Sequence, residues 1–187
     1  MKRLLLAPTL FCCSFLVWSH GYVESPGSRA YFCKTQNNKN CGPVQYEPQS
    51  VEGLKGFPER GPIDGKIASA GLPQFKQLDE QTSQRWQRSV HTSPEINFKW
   101  QLTARHKTTK WEYFITKQNW NPDAPLSRAQ FDLIPFCKFE RIEMPPEVVQ
   151  HHCRLPLSHQ GYHTILAVWT IDDTPNAFYQ VIDLELN

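Results

Sequence analysis

The chain has 187 residues, of which 20 are Lys or Arg and 18 are Asp or Glu, giving a formal net charge of +2. This length is sufficient for one domain with a substantial buried core, and the balanced charge argues against a nucleic acid or an anionic membrane as a partner. Beyond the first 19 residues, no apolar run approaches the roughly 18 residues that span a bilayer.

Residues 1–19 have the pattern of a secretory signal peptide. Two basic residues follow the initiator Met, residues 4–18 are largely apolar, and Val17 and Ser19 occupy the −3 and −1 positions of a cleavage site. We therefore predict a secreted, extracellular protein that consists of a single domain at 20–187. Because the signal contains two basic residues and no acidic ones, the secreted domain is formally neutral.

Cleavage after Ser19 would make His20 the N-terminal residue. An N-terminal His offers an imidazole and an α-amine, whose ordinary pKa of about 7.7–8 lets it lose its proton near neutral pH. A second His would complete a three-nitrogen site suited to copper, which such ligands bind most tightly among the divalent first-row metals. If cleavage falls a residue or two away, His20 is an ordinary surface His, and the signal alone leaves both possibilities open.

The four cysteines outside the predicted signal form an even set, as expected of an exported protein with two disulfides. Three connectivities are possible. We predict the two sequence-local pairs, which close short loops. A zinc site is the competing interpretation, but no CxxC pair is present. The predicted pairs are Cys33–Cys41 and Cys137–Cys153.

The first half of the domain is irregular. Residues 24–95 are rich in Pro, Gly, Ser, Asn and Gln and show little periodicity, which is typical of turns and irregular backbone. A segment of this length is unusual in a compact domain and is often functional. We expect short helical turns around residues 48–54 and 78–86.

The second half alternates apolar and polar residues with period two. The alternation indicates half-buried antiparallel strands, with Gln180 as the exception on the apolar face of the last. Short strands whose apolar faces need a partner favour an all-β, two-sheet sandwich. The alternating stretches are 98–102, 111–115, 165–171 and 178–186.

Besides His20, one of the 7 histidines stands out by its position. His106 directly follows the predicted strand at 97–102, and a residue at a strand end lies at the edge of a sheet, where a metal site remains open. Taken alone, this position favours a solvated loop residue. We interpret the remaining histidines as surface or packing residues: His91, His151, His152, His159 and His163.

Six stretches of the sequence are similar to one known family. They are HGYVESP at 20–26, QYEPQSVE at 45–52, GFP at 56–58, LTARH at 102–106, YFITK at 113–117 and NAFYQ at 176–180. Together they closely resemble the bacterial lytic polysaccharide monooxygenases of auxiliary activity family ten, also known as chitin-binding type-4 domains. The resemblance runs from His20 to the C-terminus.

The resemblance implies a fibronectin-III-like or immunoglobulin-like β-sandwich with a long, partly helical loop insertion. It also implies one copper ion per chain, bound by the His20 amine and by the side chains of His20 and His106. Phe178 matches a ring near one axial side of the metal, Ala104 a small residue near the other, and Glu52 an outer-sphere carboxylate. The positions that match the flat substrate face are Tyr46, Glu47, Thr103, Asp173 and Asn176.

The activity that the resemblance implies is oxidative cleavage of crystalline chitin. It would require an external reductant, with oxygen or hydrogen peroxide as co-substrate, and it would favour attack at C1. We expect a monomer whose partner is the polymer. Three alternatives stay open: cellulose as the substrate, a non-catalytic chitin-binding adhesin or colonisation factor, and a periplasmic copper carrier.

Overall fold

The computed structural model describes residues 20–187, so the signal peptide predicted at 1–19 lies outside the described residues. The strands are β1 (His20–Ser25), β2 (Glu52–Leu54), β3 (Ser89–His91), β4 (Glu95–Ala104), β5 (Thr108–Ile115), β6 (Cys137–Glu143), β7 (Val148–Arg154), β8 (Gly161–Ile171) and β9 (Asn176–Leu186). The helices are α1 (Arg29–Lys34) and four 3-10 helices at Gly42–Gln45, Pro48–Ser50, Pro73–Asp79 and Arg128–Gln130. In this part of the chain, no helix is long and apolar enough to cross a membrane.

The strands form two sheets that pack face to face. One sheet has three strands in the order β1-β4-β7, and the other has the order β2-β9-β8-β5-β6, with β3 added alongside β9. Their pairings are antiparallel apart from the parallel pair of β3 and β9. The predicted all-β sandwich is therefore confirmed.

The space between the sheets, which we call the inner core, is filled by alternating apolar residues. In β4, Phe98, Trp100 and Leu102 are buried, and the residues between them are more exposed, as period two requires. From the facing sheet, the rings of Trp111 and Trp169 stack with their centroids 5.0 Å apart, and Trp100 meets both edge-on. The sequence pattern predicted this core.

Strands β8 and β9 are buried on both faces, so the expectation of half-buried strands is wrong for these two. Their second faces carry Leu166, Val168, Tyr179 and Val181. The irregular segment covers them and supplies the rest of a second cluster, which we call the outer core. Its main contributors from that segment are Val44, Val51, Phe57, Ile67, Phe75, Leu78 and Trp86.

Buried polar contacts fasten the irregular segment to β9. Ser28 caps the start of α1, and its Oγ donates to Gln180 Oε1 at 2.7 Å, which explains the polar exception on the apolar face of β9. Next in the chain, Arg29 donates from Nε and Nη2 to the two carboxylate oxygens of Asp183, both at 2.8 Å. Because Gln180 and Asp183 lie on opposite faces of the strand, consecutive residues of the segment bind β9 from both sides.

Both disulfides pair as predicted. Cys33 and Cys41, with Cα atoms 5.8 Å apart, close a loop within the irregular segment. Cys137 and Cys153, with Cα atoms 5.7 Å apart, join β6 to β7. Because these two strands belong to different sheets, the second disulfide links the two halves of the sandwich.

Candidate metal centre and binding surface

One end of the sandwich brings together the strand ends that carry several candidate residues. Strand β1 begins at His20, which pairs with Ala104 at the end of β4, and His106 follows two residues later. Thr103 lies beside them, with its Oγ1 donating to the His20 carbonyl oxygen at 3.5 Å. The antiparallel register thus places both predicted metal-binding histidines at the same end of the sheet.

The His106 imidazole is buried and has one partnered nitrogen. Its Nδ1 lies 3.3 Å from Asp173 Oδ1, whereas its Nε2 is buried and has no hydrogen-bond partner among the described residues. A buried polar atom of this kind needs an explanation. With the Nδ1–H donated to the carboxylate, Nε2 carries the lone pair, and a carboxylate that fixes the tautomer in this way is typical of metal-binding His.

Strand β1 lies unusually close to its neighbours just after His20. A Cβ atom at Gly21 would lie 2.7 Å from Leu102 Cδ2 and 3.0 Å from a ring atom of Trp169. A larger residue would therefore push β1 away from the core. Glycine at this position allows the close approach that fixes the beginning of the strand, and with it His20.

The six-stranded sheet contributes a carboxylate and a buried ring. In the pairing of β2 with β9, Glu52 lies opposite Phe178, and Asn176 Nδ2 donates to Glu52 Oε1 at 2.9 Å. Phe178 is fully buried, and its ring stacks on Trp169 with centroids 4.9 Å apart. Phe178 is thus a residue of the inner core that lies next to the strand bearing Glu52.

Tyr46 and Glu47 lie in the irregular segment, just before the 3-10 helix at Pro48–Ser50 that packs near β1. Tyr46 is 82% exposed, the most exposed of the aromatic residues in the described chain. Asp173, whose side chain is 54% exposed, contacts His106, and Asn176 contacts Glu52.

Lys55 is a residue of this region that the sequence analysis missed. Its Nζ donates to backbone carbonyl oxygens of the connection between β8 and β9, including Thr174 O at 2.6 Å. That connection also carries Asp173. Lys55 belongs to no periodic pattern, and a single Lys beside a Gly in an irregular segment gives no signal of its own.

The available donors suit a metal ion with nitrogen ligands. No group of three or more His, Cys, Asp or Glu side chains within 20–187 is arranged to hold a metal, so the imidazoles of His20 and His106 need a third donor. The α-amine of His20 would supply it once the chain is cleaved before this residue. Three nitrogens of this kind match copper better than harder metals.

Comparison with known proteins identifies close relatives. A family model described as "Lytic polysaccharide mono-oxygenase, cellulose-degrading" matches residues 20–184. The crystal structure of an AA10 LPMO from Photorhabdus luminescens is 53% identical and has a TM-score of 0.88, covering 90% of this chain and 99% of that chain. Bacillus amyloliquefaciens CBM33, solved in complex with Cu(I), is 42% identical with a TM-score of 0.83, covering 90% of this chain and 100% of that chain.

Curated relatives carry a name that refers to a sugar. GlcNAc-binding protein A of Shewanella oneidensis is 52% identical over 170 residues, which make up 90% of this chain and 36% of that protein. The protein of the same name from Aliivibrio fischeri is 47% identical over 200 residues, 99% of this chain and 40% of that protein. The chain therefore spans well under half the length of these relatives.

Proposed function

We propose, because this chain belongs to the AA10 family of lytic polysaccharide monooxygenases, that residues 20–187 form a secreted, extracellular, copper-dependent enzyme. Its substrate is crystalline chitin, which it cleaves by oxidation at C1, using an external reductant and oxygen or hydrogen peroxide. The chain acts as a monomer on the polymer, and its mature form begins at His20.

The observation that supports this proposal is the state of the His106 imidazole. Its Nε2 is buried without a hydrogen-bond partner while its Nδ1 faces Asp173, as a ligand nitrogen would be before the metal binds. Copper would be held by this nitrogen, the His20 imidazole and the His20 α-amine. Bound there, it would supply the one-electron chemistry that activates the oxidant.

The surrounding residues supply orientation and shielding. Asn176 donates to one oxygen of Glu52 and so fixes the orientation of a carboxylate that can accept or deliver a proton at this end of the sandwich. Phe178 and Trp169, both fully buried, exclude water from the inner-core side. Ala104, opposite His20 in the sheet, has a small side chain and adds little bulk beside the proposed ligand.

The substrate would lie across the exposed polar and aromatic residues of this end. Tyr46 offers a ring to the apolar face of a sugar and a hydroxyl for hydrogen bonding, and Glu47, Thr103, Asp173 and Asn176 offer polar groups. An exposed, level surface suits a crystal, which cannot thread a single chain into a cleft. The name GlcNAc-binding protein A favours chitin, and the family description favours cellulose, so both polymers must be compared.

Mass spectrometry of products from chitin and from cellulose tests the activity and the substrate together. With copper and a reductant, we expect oligosaccharides with C1-oxidised ends from chitin. Their absence from both polymers would contradict the proposal. Intact-mass measurement of the secreted protein tests the processing, because a mature start at Gly21, or a retained Ser19, would remove the amine ligand.

His106→Ala tests the metal centre. Because it removes one of three nitrogen ligands, we expect oxidative turnover to be lost and the affinity for Cu(II) to fall by more than the roughly 10–100-fold that an outer partner of a ligand contributes, while the melting temperature without metal changes little. His91→Ala is the matched control, since His91 lies in β3 near the opposite end of β9. Full reductant-dependent activity of His106→Ala would contradict the assignment.

A non-catalytic chitin-binding protein is the second candidate, favoured by the word "binding" in the names of the curated relatives. The same experiment separates the two. Binding to chitin without any oxidised product, in protein that starts at His20 and carries copper, would favour the binding function.

A further inference from the structure

The connection between β8 and β9 carries two contacts that orient the proposed copper site. Asp173, within this connection, faces His106 Nδ1 at 3.3 Å. Asn176, the first residue of β9, donates to Glu52 Oε1 at 2.9 Å. The geometry of both the metal ligand and the nearby carboxylate therefore depends on where the backbone of residues 172–175 lies.

Lys55 holds this backbone from one side. Its Nζ donates to the carbonyl oxygens of Thr174 at 2.6 Å, Ile171 at 3.0 Å and Asp172 at 3.5 Å. Its own backbone N–H donates to Pro175 O at 3.0 Å. Lys55 thus binds four of the five backbone carbonyl groups from Ile171 to Pro175.

An ammonium group fits this task because it has three donors on a single charged atom. Hydrogen bonds that involve a charged group are stronger than those between neutral groups, and three carbonyl dipoles converge on the same charge. On the other side of the connection, Asp172 accepts from Thr109 Oγ1 at 3.3 Å and pairs with Lys107 Nζ at 3.3 Å. The Lys107 side chain is 51% exposed, so its ion pair with Asp172 is a weaker restraint than the part-buried Lys55 ammonium, on which three carbonyl oxygens converge.

We propose that Lys55 is a positioning residue of the copper site. Its contacts with the connection hold the backbone so that Asp173 meets His106 and Asn176 meets Glu52. This inference rests on the proposed function, because the proposed function makes His106 a copper ligand. It is tested first by measurements that need neither substrate nor turnover.

The principal variant is Lys55→Met, which keeps the length of the side chain and removes the donors and the charge. Lys55→Arg restores a charge and donors in a planar arrangement that matches three convergent carbonyls less well. Lys117→Met is the matched control, because Lys117 Nζ also donates to a backbone carbonyl, that of Ala129 at 2.8 Å, but it lies next to the beginning of β8, at the far end of the sandwich.

Hydrogen exchange of the metal-free secreted protein gives the first result. We expect Lys55→Met to raise the exchange of amides in residues 172–178 by at least about tenfold, Lys55→Arg to raise it less, and Lys117→Met to leave it unchanged. Wild-type exchange in Lys55→Met would overturn the inference, because the connection would then hold its place without the ammonium.

Copper binding distinguishes positioning from support of the fold. Outer partners of a metal ligand commonly contribute 10–100-fold to affinity, so for a residue one step further out we expect Cu(II) binding about threefold to tenfold weaker in Lys55→Met, with partial recovery in Lys55→Arg. The Cu(II) electron paramagnetic resonance spectrum should change in parallel. Faster exchange with an unchanged affinity and spectrum would make Lys55 a structural residue only and would overturn the inference.

The outcome is independent of whether chitin is the substrate. If the wild type binds copper but yields no oxidised product, the proposed function fails, and exchange and copper titration still decide the role of Lys55. If the wild type is active and Lys55→Met equals it in exchange, affinity and spectrum, the proposed function stands and the inference about Lys55 fails.

Discussion

The inner and outer cores of this protein are built from different kinds of contact. The inner core lies between two regular sheets and consists of aliphatic and stacked aromatic side chains, among them Trp100, Trp111 and Trp169. The positions of its side chains follow from the alternation of inward and outward residues along strands that have a fixed spacing. Burial supplies most of the stabilisation of such a core, and its polar contacts, such as that of Trp100 Nε1 with Tyr113 Oη, join side chains of the two sheets themselves.

The outer core joins a regular sheet to a segment that has little regular structure of its own. Apolar residues fill it, but buried polar groups fix its position. Arg29 binds Asp183, and it also donates to Leu78 O at 3.0 Å and Gln81 Oε1 at 2.6 Å. Tyr162 completes the cluster with a 2.6 Å hydrogen bond to Asp183, and burial raises its pKa to about 12.

The difference shows how an irregular segment can be held in one place. Apolar contacts are non-directional and would allow the segment to shift, whereas a buried ion pair tolerates only one arrangement without a large cost. The segment thereby places Tyr46, Glu52 and Lys55 relative to the strand ends. The proposed site therefore depends on both regions, because these three residues come from the irregular segment and the two histidines come from the three-stranded sheet.

The largest expected effect comes from breaking the buried ion pair. Asp183→Ala leaves the Arg29 guanidinium buried without its carboxylate, which should lower the free energy of unfolding by about 3–5 kcal/mol. Ile182→Ala, at the neighbouring position facing the inner core, is the matched comparison and should cost about 2–5 kcal/mol. Chemical denaturation of both variants gives these values.

Hydrogen exchange separates the two layers. We expect Asp183→Ala to raise amide exchange mainly in residues 29–81, and Ile182→Ala to raise it mainly in β4 and β5. A uniform increase in both variants would contradict the comparison, because it would mean that the two cores unfold as one unit. If Asp183→Ala does not accumulate as folded protein, Asp183→Asn, which keeps an acceptor at this position, gives the same contrast at lower cost.

The inner core was predictable and the outer core was not, for a physical reason. A period-two alternation identifies the residues of one buried face, so it predicts correctly that Phe98, Trp100 and Leu102 are buried. The second buried face of β9 is made by residues such as Tyr179 and Asp183, and their burial depends on a covering segment without periodicity. Likewise, the helical turn expected around 78–86 is a 3-10 helix at Pro73–Asp79, whose buried Phe75 and Leu78 belong to the outer core.

A chain of buried polar groups that ends at His151 runs through the inner core, and the stability it contributes should depend on pH. Trp100 Nε1 donates to Tyr113 Oη at 2.9 Å, and the Tyr113 hydroxyl lies 2.7 Å from His151 Nδ1. When the hydroxyl donates to Nδ1, that nitrogen is unprotonated, and burial favours the neutral imidazole by lowering the pKa of His151 from 6.5 to about 4. The unfolded chain therefore binds a proton more readily between these two values, and stability is lost as the pH falls through this window.

The expected loss is up to about 3 kcal/mol between pH 7 and pH 4, from about 1.4 kcal/mol per unit of pKa. His151→Gln keeps an acceptor for Tyr113 and cannot titrate, so its unfolding free energy should fall less over the same range. Urea denaturation at pH 7, 5.5 and 4 measures both proteins. Parallel pH profiles would show that other groups control the acid sensitivity.

The site was predictable only where a residue type and its position both carried information. His20 and His106 stood out because one follows a predicted cleavage site and the other ends a predicted strand. Tyr46, Glu47, Thr103 and the other residues of the proposed substrate face were identified by resemblance alone. Lys55 was missed because its partners are backbone carbonyls, which any sequence supplies.

The two disulfides provide a smaller contrast between the layers. Replacing Cys33 and Cys41 by Ser should lower stability by about 2–3 kcal/mol and loosen the irregular segment, by the entropy of closing its loop. Replacing Cys137 and Cys153 should cost about 0.5 kcal/mol more, because that loop spans 16 residues instead of 8. Thermal melts of the wild type and the two double variants would measure these losses. A larger loss of stability in the Cys33 and Cys41 variant would contradict the predicted order.

The smallest expected effect on stability is at Tyr46, an exposed residue of the irregular segment. Tyr46→Ala removes an exposed ring and touches neither core, so the stability should stay within about 0.5 kcal/mol of the wild type. If Tyr46 contacts the polymer, the affinity for chitin should fall by several-fold to about tenfold, because stacking on a planar ligand contributes roughly 1–3 kcal/mol and a sugar, which has no π-face, should lie at or below the lower end. Copper affinity should be unchanged.

Ile134→Ala is the matched control, since Ile134 is 85% exposed but lies in the connection from β5 to β6, away from the strand ends that carry the histidines. Chitin-binding isotherms and calorimetric copper titrations of the three proteins decide the matter. Equal chitin affinity in wild type and Tyr46→Ala would move the binding surface elsewhere, and a parallel loss of copper affinity would mean that Tyr46 supports the metal site instead of the substrate.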